Sequence, residues 1–162
     1  MFHHNVKRTE KSETGITFRT LQQTNTKIRI SFPGTKWCGP GFIAKYFEDL
    51  GEKKELDKCC RAHDLCPQYI EPGRKKFGLR NFSLSTKSHC SCDEKLYRCL
   101  KGVQDGCAKG IGRLYFQFFN TKCFKKSSVC TGCAKRVSGR CVEYDVDKNS
   151  KQNFQWFDNP KF

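Results

Sequence analysis

The chain has 162 residues, 31 Lys and Arg against 16 Asp and Glu (net charge +15), and twelve cysteines. That length suits one domain with a modest core, and no apolar run approaches the roughly 18 residues that span a bilayer as a helix. The positive charge favours anionic partners such as acidic membrane surfaces, but the basic residues are interspersed with acids rather than gathered in a stripe, which speaks against nucleic acid.

Residues 1–29 are polar, Thr-rich and free of cysteine, the composition of a flexible extension or the remnant of a pro-segment. Their His3-His4 pair is either a metal ligand or incidental. All the cysteines lie from Cys38 onward, a density and even number that predict a secreted, disulfide-stapled domain over residues 30–162. Residues 1–30 hold no apolar signal-peptide core, so secretion implies that a leader is already gone. Residues 33–41, PGTKWCGPG, read as a loop. A helical stripe follows in Leu56, Cys59, Cys60, His63 and Cys66, ended by Pro67. Residues 71–89 read as a loop in which Asn81-Phe82-Ser83 is an N-glycosylation acceptor. A second stripe runs through Cys92, Leu96, Cys99 and Val103, and a third through Ile111, Leu114, Tyr115, Phe118 and Phe119. Beyond Cys123, alternating pieces at Arg140–Val146 and Phe154–Phe157 suggest a β hairpin. The predicted fold class is mainly α and disulfide-rich.

Cys59 and Cys66 are seven apart, as are Cys92 and Cys99, so each pair lies on one helix face two turns apart. An antiparallel helix pair would bridge 59 to 99 and 66 to 92; a parallel pair would bridge 59 to 92 and 66 to 99. Spacing alone leaves both open. Cys60 points away from Cys59, and the Gly-rich loop at Cys38 is its natural partner. In the antiparallel arrangement His63 lies on the buried stripe with Asp93 about one helical turn away, and a carboxylate-held His is the minimal general-base device. Asp64 points about 100° around the helix from His63, and facing a glycine loop it makes a plausible Ca²⁺ site, because Ca²⁺ takes carboxylate and carbonyl oxygens. No G-x-S-x-G nucleophile is present, so hydrolysis would use water. The competing readings are a structural His63 among disulfides, and Zn²⁺ at Cys90-x-Cys92 or Cys130-x-x-Cys133.

Three strings carry a resemblance: Trp37-Cys38-Gly39-Pro40-Gly41, then Asp57-Lys58-Cys59-Cys60-Arg61-Ala62-His63-Asp64, then Cys90-Ser91-Cys92-Asp93. Together they resemble the secreted phospholipase A2 family, in its bee-venom (group III) branch, and the likeness runs from about Ile30 to Phe162, including Tyr144–Lys148 and Gln155–Asp158. The resemblance implies two antiparallel, disulfide-linked helices with a Ca²⁺-binding loop, a third helix and a C-terminal β hairpin. It implies His63 as general base, oriented by Asp93, with Tyr115 hydrogen-bonded to that carboxylate. Asp64 and the carbonyls of Trp37, Gly39 and Gly41 would hold Ca²⁺, and the Gly39 N–H would serve the oxyanion. The disulfides it implies are 38–60, 59–99, 66–92, 90–123 and 133–141. Cys107 and Cys130 are left over, and this reading pairs them with each other.

The activity implied is a Ca²⁺-dependent secreted hydrolase that cleaves the sn-2 ester of glycerophospholipids at membrane surfaces, acting as a monomer. The alternative is a non-catalytic, phospholipase-like toxin that binds membranes, a receptor or a channel through its cationic surface; the presence of His63, Asp64 and Asp93 favours the enzyme. A ring of apolar residues should surround the mouth of a lipid slot, and position beside the loop suggests Ile30, Phe32, Phe42 and Ile43. The competing reading is that Phe32 and Phe42 pack inward and brace the loop.

Overall fold

A computed structural model describes residues 30–162; the expected N-terminal extension and the His3-His4 pair lie outside the described residues. Helix α1 spans Lys54–Asp64, with Leu56, Asp57, Cys59, Cys60, His63 and Asp64 buried. Glu55 and Asp57 sit in its first turn, where the helix dipole favours negative charge. Four two-residue strands follow: β1 (Tyr69–Ile70), β2 (Lys75–Lys76), β3 (Leu79–Arg80) and β4 (Lys87–Ser88), paired antiparallel as β1 with β4 and β2 with β3. Helix α2, Cys90–Gly102, begins where the His89 ring accepts a hydrogen bond from the Ser91 N–H, and it buries Asp93, Leu96 and Leu100. The bridges Cys59–Cys99 and Cys66–Cys92 join α1 to α2. Their partners run in opposite directions along the two helices, which therefore lie antiparallel.

Helix α3, Gly106–Arg113, starts at Asp105, whose side chain accepts from the Cys107 N–H. It passes without a break into a π-helical turn, Leu114–Phe119, closed by the Asn120 N–H on the Tyr115 carbonyl at 2.6 Å. The core joins the loop to these helices through Trp37, Phe42, Leu56, Leu96, Leu100, Ile111, Tyr115 and Phe116. The bridges Cys38–Cys60 and Cys90–Cys123 tie the loop to α1 and the start of α2 to the strands beyond.

Strands β5 (Lys122–Ser127), β6 (Cys130–Val137), β7 (Arg140–Val146) and β8 (Asn153–Asp158) form two separate antiparallel pairs, β5 with β8 and β6 with β7. The expected hairpin between Arg140–Val146 and Phe154–Phe157 is thus corrected: each piece pairs with an earlier strand. Ser138 and Gly139 both have positive φ, 50° and 81°, the backbone of a tight two-residue hairpin turn, so β7 folds straight back on β6. Strand β6 is largely exposed and lacks the alternation that would have revealed it. The Cys133–Cys141 bridge closes that hairpin.

The loop before α1 is held by one carboxylate. Asp57 is fully buried. Its Oδ1 accepts from the Trp37 N–H at 2.7 Å, its Oδ2 from the Gly51 N–H at 2.7 Å, and both oxygens receive the Lys36 N–H at 3.0 and 2.9 Å. Three backbone donors satisfy a charge that would otherwise be costly to bury. A Cβ on Gly39 would run into the backbone carbonyl of Ile30, and Gly41 has a φ of 95°, so both positions need glycine.

Three further expectations change. Phe42 is only 4% exposed and stacks on Trp37 at 4.7 Å between ring centroids, so it braces the loop and does not meet lipid; Phe32 is partly buried against the same core. Ile30 and Ile43 remain 58% and 42% exposed. Asn81 is 2% exposed, and its Nδ2, the atom a glycan would modify, donates to the Ile70 carbonyl at 2.8 Å and the Ser85 carbonyl at 2.9 Å. Both amide hydrogens are thereby used inside the fold, so a glycan on Asn81 would displace one of these bonds from a buried position. Cys107 and Cys130 are unbridged. Cys107 is fixed in the first turn of α3 against the helical core. Cys130 is fixed at the start of β6 by Val146 and the Gln155 side chain, and these separate anchors do not bring the sulfurs together.

Two measurements check this description. Thiol titration of the denatured, unreduced protein should find both Cys107 and Cys130 reactive; finding neither would restore a sixth bridge. Replacing Asp57 with Ala strips the acceptor from three backbone donors and should lower unfolding free energy by about 3 kcal/mol or more. A loss in denaturant titration of about 0.5 kcal/mol, the size typical of surface substitutions, would show that the loop does not hang on this carboxylate.

Candidate active site

The antiparallel, cross-linked helices bring His63 of α1 against Asp93 of α2. His63 Nε2 lies 2.8 Å from Asp93 Oδ1, with both side chains buried. An ionised carboxylate only accepts, so the ring carries its proton on Nε2 and donates it to Asp93, making Nδ1 the basic nitrogen. Tyr115, delivered by the second residue of the π-helical turn, places its hydroxyl 2.9 Å from Asp93 Oδ1 and 2.9 Å from His63 Nε2. Its ring meets that of His63 edge-on at 5.1 Å. Burial, and then the charge of Asp93, hold the Tyr115 hydroxyl well above its ordinary pKa, so it stays a donor.

Two asparagines extend this group. Asn159, just beyond β8, donates from Nδ2 to Asp93 Oδ2 at 2.5 Å and to the Asn120 carbonyl at 3.1 Å. Asn120, at the end of the π-helical turn, donates from Nδ2 to the Tyr115 hydroxyl. Behind it lies Lys87 of β4, 6% exposed. Its ammonium donates to Asn120 Oδ1 at 2.9 Å, the Phe119 carbonyl at 2.9 Å and Ser85 Oγ at 3.2 Å. Burial pushes the Lys87 ammonium down to about 8, against the opposing pull of Asp93.

Asp64 follows His63 on α1, and burial raises its carboxyl well above the ordinary range. A buried carboxylate of this kind fits a bound cation, which would compensate the charge that burial disfavours. Among the described residues no cluster of three His, Cys, Asp or Glu side chains could hold a metal, so a cation beside Asp64 would draw its other oxygens from backbone. The loop at 37–41 is rich in such carbonyls and has no side chain at Gly39 or Gly41 to block them. Cys90, Cys92 and Cys133, weighed as zinc ligands, are all in disulfides.

Of the residues the sequence picks out, His63, Asp93 and Tyr115 therefore meet directly, and Asp64 lies on the same helix beside them. Asp57, Lys87, Asn120 and Asn159 escape the sequence reading. Asp57 lies inside a quoted motif, but its partners are backbone N–H groups and leave no residue-type signal. The other three are lone polar residues far apart in the chain. Large exposed apolar side chains also lie away from the expected ring: Leu84 is 93% and Phe82 is 87% exposed, with Phe118 and Phe119 exposed as well.

Comparison with known proteins agrees with this geometry. The family model described as Phospholipase A2 matches residues 31–127. The Phospholipase A2 of Apis dorsata is 43% identical over 134 residues, covering 82% of this chain and 100% of its own. That of Apis mellifera is 43% identical over 135 residues, covering 83% of this chain and 81% of its own. That of Xylocopa appendiculata circumvolans is 40% identical over 146 residues, covering 88% and 81%. With a family model matched over residues 31–127 and relatives 40–43% identical over 82–88% of the chain, this chain belongs to the phospholipase A2 family and is a phospholipase A2 enzyme of the bee-venom-like, group III type.

Proposed function

We propose that residues 30–162 form a secreted, Ca²⁺-dependent catalytic unit that hydrolyses the sn-2 ester of glycerophospholipids at membrane surfaces, with His63 as general base. The observation that carries this reading is the buried His63–Asp93 contact at 2.8 Å with Tyr115 on the same carboxylate oxygen. His63 Nδ1 takes a proton from water as the water oxygen attacks the ester carbonyl carbon. Asp93 stabilises the imidazolium so formed and keeps the ring from turning. The imidazolium then returns the proton to the departing glycerol oxygen as the acyl C–O bond breaks, leaving a free fatty acid and a lysophospholipid. The Gly39 N–H serves the oxygen that gains negative charge. Asp64 and the carbonyls of Trp37, Gly39 and Gly41 would hold Ca²⁺, which supplies a fixed positive charge for that oxygen and for the substrate phosphate.

Five disulfides support a secreted protein, since such bridges persist in oxidising compartments. No described helix is long and apolar enough to cross a membrane. The net charge of +15 supports attraction to acidic bilayers, and exposed Ile30 and Ile43 supply apolar contact beside the loop.

The test is vesicle hydrolysis followed by product analysis. His63→Gln should fold and lose about a hundredfold or more in rate, the contribution typical of a general base; retention of a tenth of the wild-type rate would remove His63 from that role. Ca²⁺ should raise the melting temperature of the wild type and not of Asp64→Asn, and chelator should abolish hydrolysis. Full activity in excess chelator would contradict the Ca²⁺ assignment.

A further inference from the structure

We propose that Lys87 is a positioning residue for this reaction: through Asn120 and Tyr115 it fixes the direction in which hydrogen bonds run toward Asp93, and so the orientation of the His63 ring. The inference rests on the general-base reading of His63.

The argument is one of donors and acceptors. An ammonium has three donors and no acceptor. Lys87 lies against Asn120 Oδ1 at 2.9 Å, the Phe119 carbonyl at 2.9 Å and Ser85 Oγ at 3.2 Å, so the oxygen end of the Asn120 amide must face it. That leaves the NH₂ end toward Tyr115, whose oxygen accepts. With its oxygen engaged from that side, the Tyr115 hydroxyl sends its hydrogen to Asp93 Oδ1 at 2.9 Å. Asn159 donates to the other carboxylate oxygen, and His63 Nε2–H completes the set. Every bond in the chain therefore points at Asp93, whose two oxygens act only as acceptors. Turn the Asn120 amide over, and a lone pair meets Tyr115. The hydroxyl would then donate to Asn120 and abandon Asp93.

Lys87 is itself expensive to bury, as its lowered pKa reflects, and an apolar residue would fill a buried site without that desolvation penalty. Charged or titratable groups on the elements packed around it are Asp93 and His89 at the start of α2, Tyr115 on the π-helical turn, Tyr69 on β1, and Lys122, Lys125 and Lys126 on β5. Among these, the charge that bears on Lys87 is that of Asp93. The lysine thus supplies a buried positive charge that interacts with that of Asp93, as well as setting the amide.

The variants are Lys87→Met, which removes donors and charge at similar length, and Lys87→Arg, which keeps both. In Lys87→Met, kcat should fall by about ten- to a hundredfold, the value of one orienting hydrogen bond to a charged group, with KM nearly unchanged. Lys87→Arg should recover most of kcat. Should Lys87→Met fail to fold, Asn120→Ala breaks the same chain one residue nearer Tyr115, and it should show the same kcat loss without a KM change. An unchanged kcat in a folded Lys87→Met would overturn the proposal, as would a rate loss in either variant that only tracks the folded fraction or that Lys87→Arg does not reverse. His63→Gln, run alongside, separates the two levels: if it stays active, the base assignment fails, and if it is inactive while Lys87→Met matches wild type, only the role of Lys87 fails.

Discussion

The two disulfides between α1 and α2 are the constraint on which the rest of the molecule depends. A chain of this charge and modest apolar content has little core to spare, and the bridges fix the relative position of two helices that meet over few large side chains. Leu56, Leu96 and Leu100 are the main aliphatic contacts from those helices to the common core. His63 lies between Cys59 and Cys66 on α1, and Asp93 lies between Cys92 and Cys99 on α2. The pair is thus clamped from both sides, and neither helix can slide by a turn without breaking a covalent bond.

Within that frame the protein buries three carboxylates on two helices and treats each differently. Asp57 is satisfied wholly by backbone N–H groups and so becomes the anchor of the loop at residues 36–51. Asp93 is satisfied by side chains from α1, the π-helical turn and the segment after β8. Asp64 is burdened by desolvation, the state in which a carboxylate gains most from a cation. One carboxylate builds the loop, one orients His63, and one is suited to a cation. The π-helical turn serves this division: it carries Tyr115, whose hydroxyl donates to Asp93, and ends at Asn120, whose Oδ1 accepts from Lys87.

Much of this was legible in the sequence. The stripe Leu56-Cys59-Cys60-His63 declares α1, and the sevenfold cysteine spacing limits α1 and α2 to two registers, of which the folded chain takes the antiparallel one. What was not legible follows a physical pattern. Strand β6 is hidden because it is largely exposed and its sequence carries no alternation, so the legible strand β7 had no visible partner. Phe42 looks like a surface residue beside a glycine loop, and only the stacking partner Trp37 reveals it as core. Asn81 carries a glycosylation motif, but the same amide is what a tight turn uses to close itself. Asn159 acts on Asp93 across 66 residues, a contact that leaves no local mark. Cys107 and Cys130 show that an even count of cysteines does not dictate complete pairing.

The central claim is that Asp93 holds the His63 imidazole with its proton on Nε2 and its lone pair on Nδ1. Nitrogen-15 NMR of histidine-labelled enzyme, in the pH range where the ring is neutral, reads this directly. The account requires His63 to show a protonated Nε2, shifted downfield by its bond to the carboxylate, and an unprotonated Nδ1. It also requires that pattern to be lost in Asp93→Asn. A neutral ring carrying its proton on Nδ1, or a rapidly exchanging mixture of both forms in the wild type, would contradict it.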